Sequence, residues 1–188
     1  MLSAVALTNF NLASGITILS EKSPTDFIYA VRMFKQVASG FQRDDVQVEF
    51  NGNFLPSDVR SSDPNEFWPT LYQRANLSLE SSLGQDYHDP IIAFGALTGT
   101  LGIQMSAASV LPSTLALWLN TGIPLIAGTV NAGDPYQLDP AQGVIGDHSY
   151  TVIGMEVPAS GAASGSNVIL RNPWGIDSTP PYEFASES

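Results

Sequence analysis

The chain has 188 residues, enough for one sizeable domain or two small lobes sharing a cleft. Its 44% hydrophobic and 13% charged residues mark a globular chain with a neutral, Ser/Asn/Gly-rich surface, not a disordered one. The net charge of −11 repels phosphate backbones and argues against a nucleic-acid partner, and the absence of cysteine excludes disulfides, thiolate metal sites and thiol catalysis by these residues alone.

The charge is unevenly placed: six of the seven basic residues lie at or before Arg74, and Arg171 stands alone after it. No apolar run reaches the ~20 residues that a membrane-spanning helix needs. The opening stretch lacks the basic start and cleavage site of a signal peptide.

In chain order, residues 2–12 are small and apolar nearly all round, the pattern of a helix buried on most faces, with Gly15 as its stop. A chain that opens inside such a helix suggests further residues upstream. Residues 24–36 support two readings. Alternating Phe27, Tyr29, Val31 and Met33 favour a strand, while Pro24 could open a helix. Val46, Val48 and Phe50 alternate within a strand over 45–50, and Asn51-Gly52 is a turn signal. Asp63 to Glu66 has the chemistry of a helix start. The helix is expected over 65–83, with Pro69 in its first turn and Gly84 at its end.

Residues 91–103 are apolar and Gly-rich and read as a tight crossing between lobes. A short helix follows over 112–120, closed by Thr121-Gly122. Strands are then expected at 123–130, 148–157 and 167–172, all rich in Val, Ile, Thr and Tyr, with 158–166 as a connector. Helical segments first and strands later predict an α+β fold, not a parallel doubly wound sheet. The expected division is a helical part over 1–98 and a mostly antiparallel β part over 99–188.

Two histidines are present, His88 and His148. His88 reads as a loop residue between Tyr87 and Asp89-Pro90. His148 opens a strand, where an imidazole can project into a cleft from a fixed backbone. Asn172 lies 24 positions on, at the end of the next expected strand, where Pro173 stops sheet pairing. An antiparallel hairpin would bring the two together. An amide oxygen accepting the ring N–H fixes the tautomer for base catalysis, and Trp174 could cover that bond. Asp134, Asp139 and Asp147 lack the spacing of a dedicated calcium loop.

The segments GDHSYTVIGME (146–156) and NVILRNPWG (167–175) resemble the histidine and asparagine motifs of calpain-like, papain-fold cysteine peptidases. Asn65-Glu66-Phe67-Trp68, followed by a helix, resembles the Glu-Phe-Trp helix of that catalytic core. The resemblance covers roughly the last three quarters of the chain. It implies His148 as general base, Asn172 as its orienter, Trp174 as shield, a polypeptide substrate and an intracellular setting. The family's nucleophile is a cysteine at the start of a buried helix, which the resemblance places about two positions before Met1. Neither it nor the oxyanion glutamine lies within these 188 residues. Ser3, inside an apolar helix, reads as packing and not as a substitute. Some family members use calcium as cofactor, but no ligands for it are assignable here. Three readings follow: part of a cysteine endopeptidase core, inactive alone for want of the cysteine; a nucleophile-free homologue that binds peptides or proteins in the old cleft; or, with less behind it, an unrelated β-rich binding module whose His and Asn-Pro-Trp are coincidental.

Overall fold

β-branched and aromatic residues alternate through the first third of the chain, and they form three antiparallel strands. These are β1 (Ile16–Ser23), β2 (Asp26–Val37) and β3 (Gly40–Phe50), in sheet order β1-β2-β3. The computed structural model describes residues 5, 11–60, 63, 65–83, 89–129, 144, 146, 148–156 and 166–172. After the first sheet come helices α1 (Trp68–Leu83), α2 (Pro90–Thr98) and α3 (Pro112–Asn120), then strands β4 (Ile126–Gly128), β5 (Ser149–Glu156) and β6 (Asn167–Arg171). The second sheet is also antiparallel, in order β4-β5-β6, so the fold is α+β with two small antiparallel sheets.

The described residues fall into two compact units. One runs from Asn11 to Ser106; the other holds Ala107 onward together with Val5. The first is not the helical part expected from the sequence. β2 and β3 pair without a slip from Phe27–Phe50 to Val37–Gly40, and the two-residue loop Ala38-Ser39 leads into Gly40, whose φ of 127° a side chain rarely adopts. Pro24, a candidate helix start, instead sits in the turn between β1 and β2. Tyr29, Val31 and Met33 alternate into the core, which is the period of a half-buried strand and not of a helix.

On that face of the sheet, Leu71, Tyr72, Ala75 and Leu79 of α1 complete the core. Phe67, at the start of α1, packs against Phe50 at 5.4 Å and Tyr29 at 5.7 Å between ring centres. The Tyr72 hydroxyl donates to the Leu12 carbonyl at 2.8 Å, and burial pushes that phenol up to about 12. The loop after β3 is tied to α1 by Arg74. Its guanidinium meets the buried Asp58 carboxylate at 2.7 Å, donates to the carbonyls of Glu49 and Asn53, and lies over the Phe50 ring. That guanidinium, together with the Leu55 N–H, holds the Asp58 carboxyl below the usual carboxylate range.

Residues 91–103, expected as a crossing, are largely helical. The Asp89 side chain accepts from the Ile91 N–H at 2.8 Å, Pro90 opens the helix, and Gly99 closes it at a φ of 76°. Its glycines serve packing. A Cβ on Gly95 would fall 1.9 Å from the Phe41 ring, so only hydrogen lets β3 and α2 meet there.

In the second unit α3 packs on β5. The helix ends where Thr121 and Gly122 donate back to Leu117 and Leu119, with Gly122 at a φ of 73°. Val5 is helical and fully buried, while Asn11 and Leu12 are not helical, and the rest of the helix expected over 2–12 lies outside the described residues.

Candidate active site

His148 immediately precedes β5, and the end of β4 holds it by its backbone. Thr129, the residue after β4, donates its N–H to the His148 carbonyl at 2.9 Å. The Thr129 hydroxyl accepts from the His148 N–H at 2.9 Å and donates to the His148 carbonyl at 3.0 Å. A threonine side chain thus extends the β4–β5 ladder one residue past Gly128–Ser149 and clamps the histidine main chain at the sheet mouth. Nothing in the sequence marks Thr129 for this role, because the clamp depends on which residue of β4 lies opposite His148.

The imidazole is held from two further sides. The Tyr150 ring meets it edge-on, with centres 4.9 Å apart and planes at 85°. Two residues on along a strand is the same face, so Tyr150 is the neighbour that the pleat supplies. Asn172, at the end of β6, is the other. Its Oδ1 lies 3.1 Å from His148 Nε2, and the residue is only 6% exposed. The hairpin expected from the sequence therefore brings His148 and Asn172 together.

An amide oxygen accepts and never donates, so with Oδ1 toward the ring the Nε2–H is the donor. The neutral imidazole then carries its lone pair on Nδ1. Burial of Asn172 keeps water from competing for this bond. The result is an imidazole of fixed plane, fixed tautomer and one basic nitrogen, the arrangement that proton abstraction requires.

The remaining candidates divide differently. Trp174, expected to cover the pair, lies outside the described residues, as do Ser3, His88, Asp134, Asp139 and Asp147. Phe67 and Trp68 of the Glu-Phe-Trp segment belong to the other unit, where Phe67 stacks on the sheet and Trp68 meets Tyr72 edge-on. Among the described residues no group of three or more His, Asp or Glu side chains is placed to hold a metal ion. No helix of the described residues is long and apolar enough to cross a membrane.

No protein-family model matches the chain, and no curated protein or solved structure matches it either.

Proposed function

We propose that His148 and Asn172 are the general base and its orienter in a calpain-like cysteine endopeptidase core. The observation that carries this reading is the 3.1 Å contact between His148 Nε2 and the buried Asn172 Oδ1. The motif resemblance supports it: both residues are those that the histidine and asparagine motifs single out, and the contact uses the ring nitrogen that leaves Nδ1 basic. In this reading Nδ1 takes the proton of a cysteine thiol, and Asn172 stabilises the imidazolium that forms. The thiolate attacks the peptide carbonyl, and the imidazolium returns the proton to the leaving amine. No cysteine lies within these 188 residues, so the chain as it stands cleaves nothing by this route.

The test supplies the missing group. The chain is extended at its N-terminus so that a cysteine precedes Met1 by two positions, and the pH dependence of its alkylation by iodoacetamide is followed. A thiol activated by an imidazole titrates within about 3.5–7.5, against about 8.5 for a free one. We expect the low value with His148 present, the ordinary value in His148→Ala, and a ~10²–10⁴-fold loss of peptide hydrolysis in that variant. Identical alkylation profiles for the two would refute the reading. Peptide binding by the unextended chain, with no His148-dependent thiol in the extended one, would favour the nucleophile-free binding module.

A further inference from the structure

The two ends of the β5–β6 ladder are out of phase by one residue. At the end far from His148, Glu156 pairs with Asn167, Met155 with Val168 and Gly154 with Ile169. At the near end, Val152 pairs with Leu170 and Thr151 with Arg171. Between them Ile153 has no partner across the ladder, which makes this a β-bulge.

The slip decides which face Asn172 occupies. Directly opposed residues of an antiparallel pair share a face, and successive residues alternate. One step beyond Thr151–Arg171, the observed pairing sets Asn172 opposite Tyr150, on the face that also holds His148. Tyr150, Thr151 and Val152 are all buried, so both faces of this part of β5 are covered and the pairing, not the burial, assigns Asn172 its face. If the far-end register simply continued, Ile153 would oppose Leu170 and Thr151 would oppose Asn172. Thr151 lies three residues from His148, on the other face, and the amide would point away from the imidazole.

We propose that the one-residue slip at Ile153, and not the Ile153 side chain, sets the facing of the His148–Asn172 pair. It takes up the odd residue of the hairpin and so turns Asn172 onto the histidine's face. Two features fit that role. Ile153 is 45% exposed, so its presence is not explained by core packing. A Cβ on the adjacent Gly154 would lie 3.3 Å from Ile169 Cδ1, so glycine eases the close approach beside the bulge. Calling the pair catalytic rests on the peptidase reading; the register argument does not.

Two single-residue deletions in the full chain test it, read by long-range nitrogen-15 NMR of the His148 ring. Deleting Ile153 removes only the unpaired residue and leaves each observed pair intact. We expect it to fold and to keep one Nε2–H tautomer, as in the parent chain. Deleting the exposed Arg171 takes a paired residue from the other strand. Asn172 then opposes Thr151 if the slip persists, or Val152, one pleat further from His148, if it does not. We expect the tautomer signature to be lost there. Unfolding of the Ile153 deletion, or loss of its signature, overturns the proposal, as does a folded Arg171 deletion that keeps the signature. If the Arg171 deletion does not fold, an alanine inserted between Arg171 and Asn172 takes its place: Asn172 then opposes Ser149, on the other face, and a kept signature overturns the proposal. An intact signature without a His148-dependent thiol in the extended chain would sink the peptidase reading and leave the register inference standing.

Discussion

The sheet of β1–β3 and the sheet of β4–β6 each hold three antiparallel strands, but they are secured by different means. In the first, β2 and β3 pair without interruption over their whole shared length, and the apolar face of α1 covers the inner face. In the second, β4 contributes only Ile126–Gly128, the β5–β6 ladder slips once, and its Thr151–Arg171 end runs into the polar His148–Asn172 contact. At the edge of the first sheet β1 also slips, between Ile18 and Ser20 and again between Glu21 and Ser23, where the skipped Lys22 pairs with Glu49 of β3 on the exposed surface. There a bulge blunts an edge. In the second sheet it sets the facing of a side chain that makes a specific hydrogen bond. Long regular pairing with apolar cover supplies stability; a short ladder with one slip supplies geometry.

The sharpest way to break that contrast is to remove packing from the first unit. Leu71 is fully buried, and Leu71→Ala should lower the unfolding free energy by about 2–5 kcal/mol, measured by urea denaturation. The folded fraction should keep the His148 tautomer signature, since the pair lies in the other unit. Asp58→Asn comes next, at about 1–3 kcal/mol, because it weakens the buried partner of Arg74.

Asp58 also gives the first unit an acid dependence. Its folded carboxyl lies below the ordinary 3.8, so its contribution is complete above that value and is lost as pH falls through the lower folded one. The urea midpoint of the parent chain should fall on acidification below about pH 4 more steeply than that of Asp58→Asn. Tyr72 acts at the other extreme. Its phenol is raised from 10.0 to about 12, so its contribution is present below pH 10 and is lost as pH rises toward 12. Burial raises Tyr29 as well, so absorbance at 295 nm should show more than one late tyrosine, and Tyr72→Phe should remove the component near pH 12.

The smallest effect on stability tests the second unit. Thr129→Val removes both side-chain bonds to the His148 backbone and should cost about 1 kcal/mol, while Thr129→Ser keeps them. The tautomer signature of His148 should broaden in Thr129→Val and recover in Thr129→Ser. If the two variants behave alike, the hydroxyl clamp does not hold the histidine.

Much of this architecture was legible along the chain. Alternation over 45–50, the helix near 65–83, the short helix at 112–120 and the two strands around the 158–166 connector all follow from local period and turn chemistry. The α2 helix was legible too, since Asp89-Pro90 is a cap followed by a proline at the first helical position, and Gly99 is a stop. Its glycines read instead as a crossing, because only tertiary packing shows that Gly95 makes room for the Phe41 ring. Of the first sheet the sequence marks only 45–50 plainly and leaves 24–36 open, because Pro24 offers a helix start that only the turn between β1 and β2 rules out.

Residue type, order and spacing alone determined that His148 and Asn172 stand at the mouths of two strands joined as a hairpin. They could not decide whether the two side chains share a face. That depends on parity, and a single unpaired residue reverses parity without changing composition or spacing. Nor could they decide what holds the histidine still, because the Thr129 hydroxyl reaches it only through the pairing of β4 with β5. The tertiary structure decided both, because register is a relation between strands and not a property of either one.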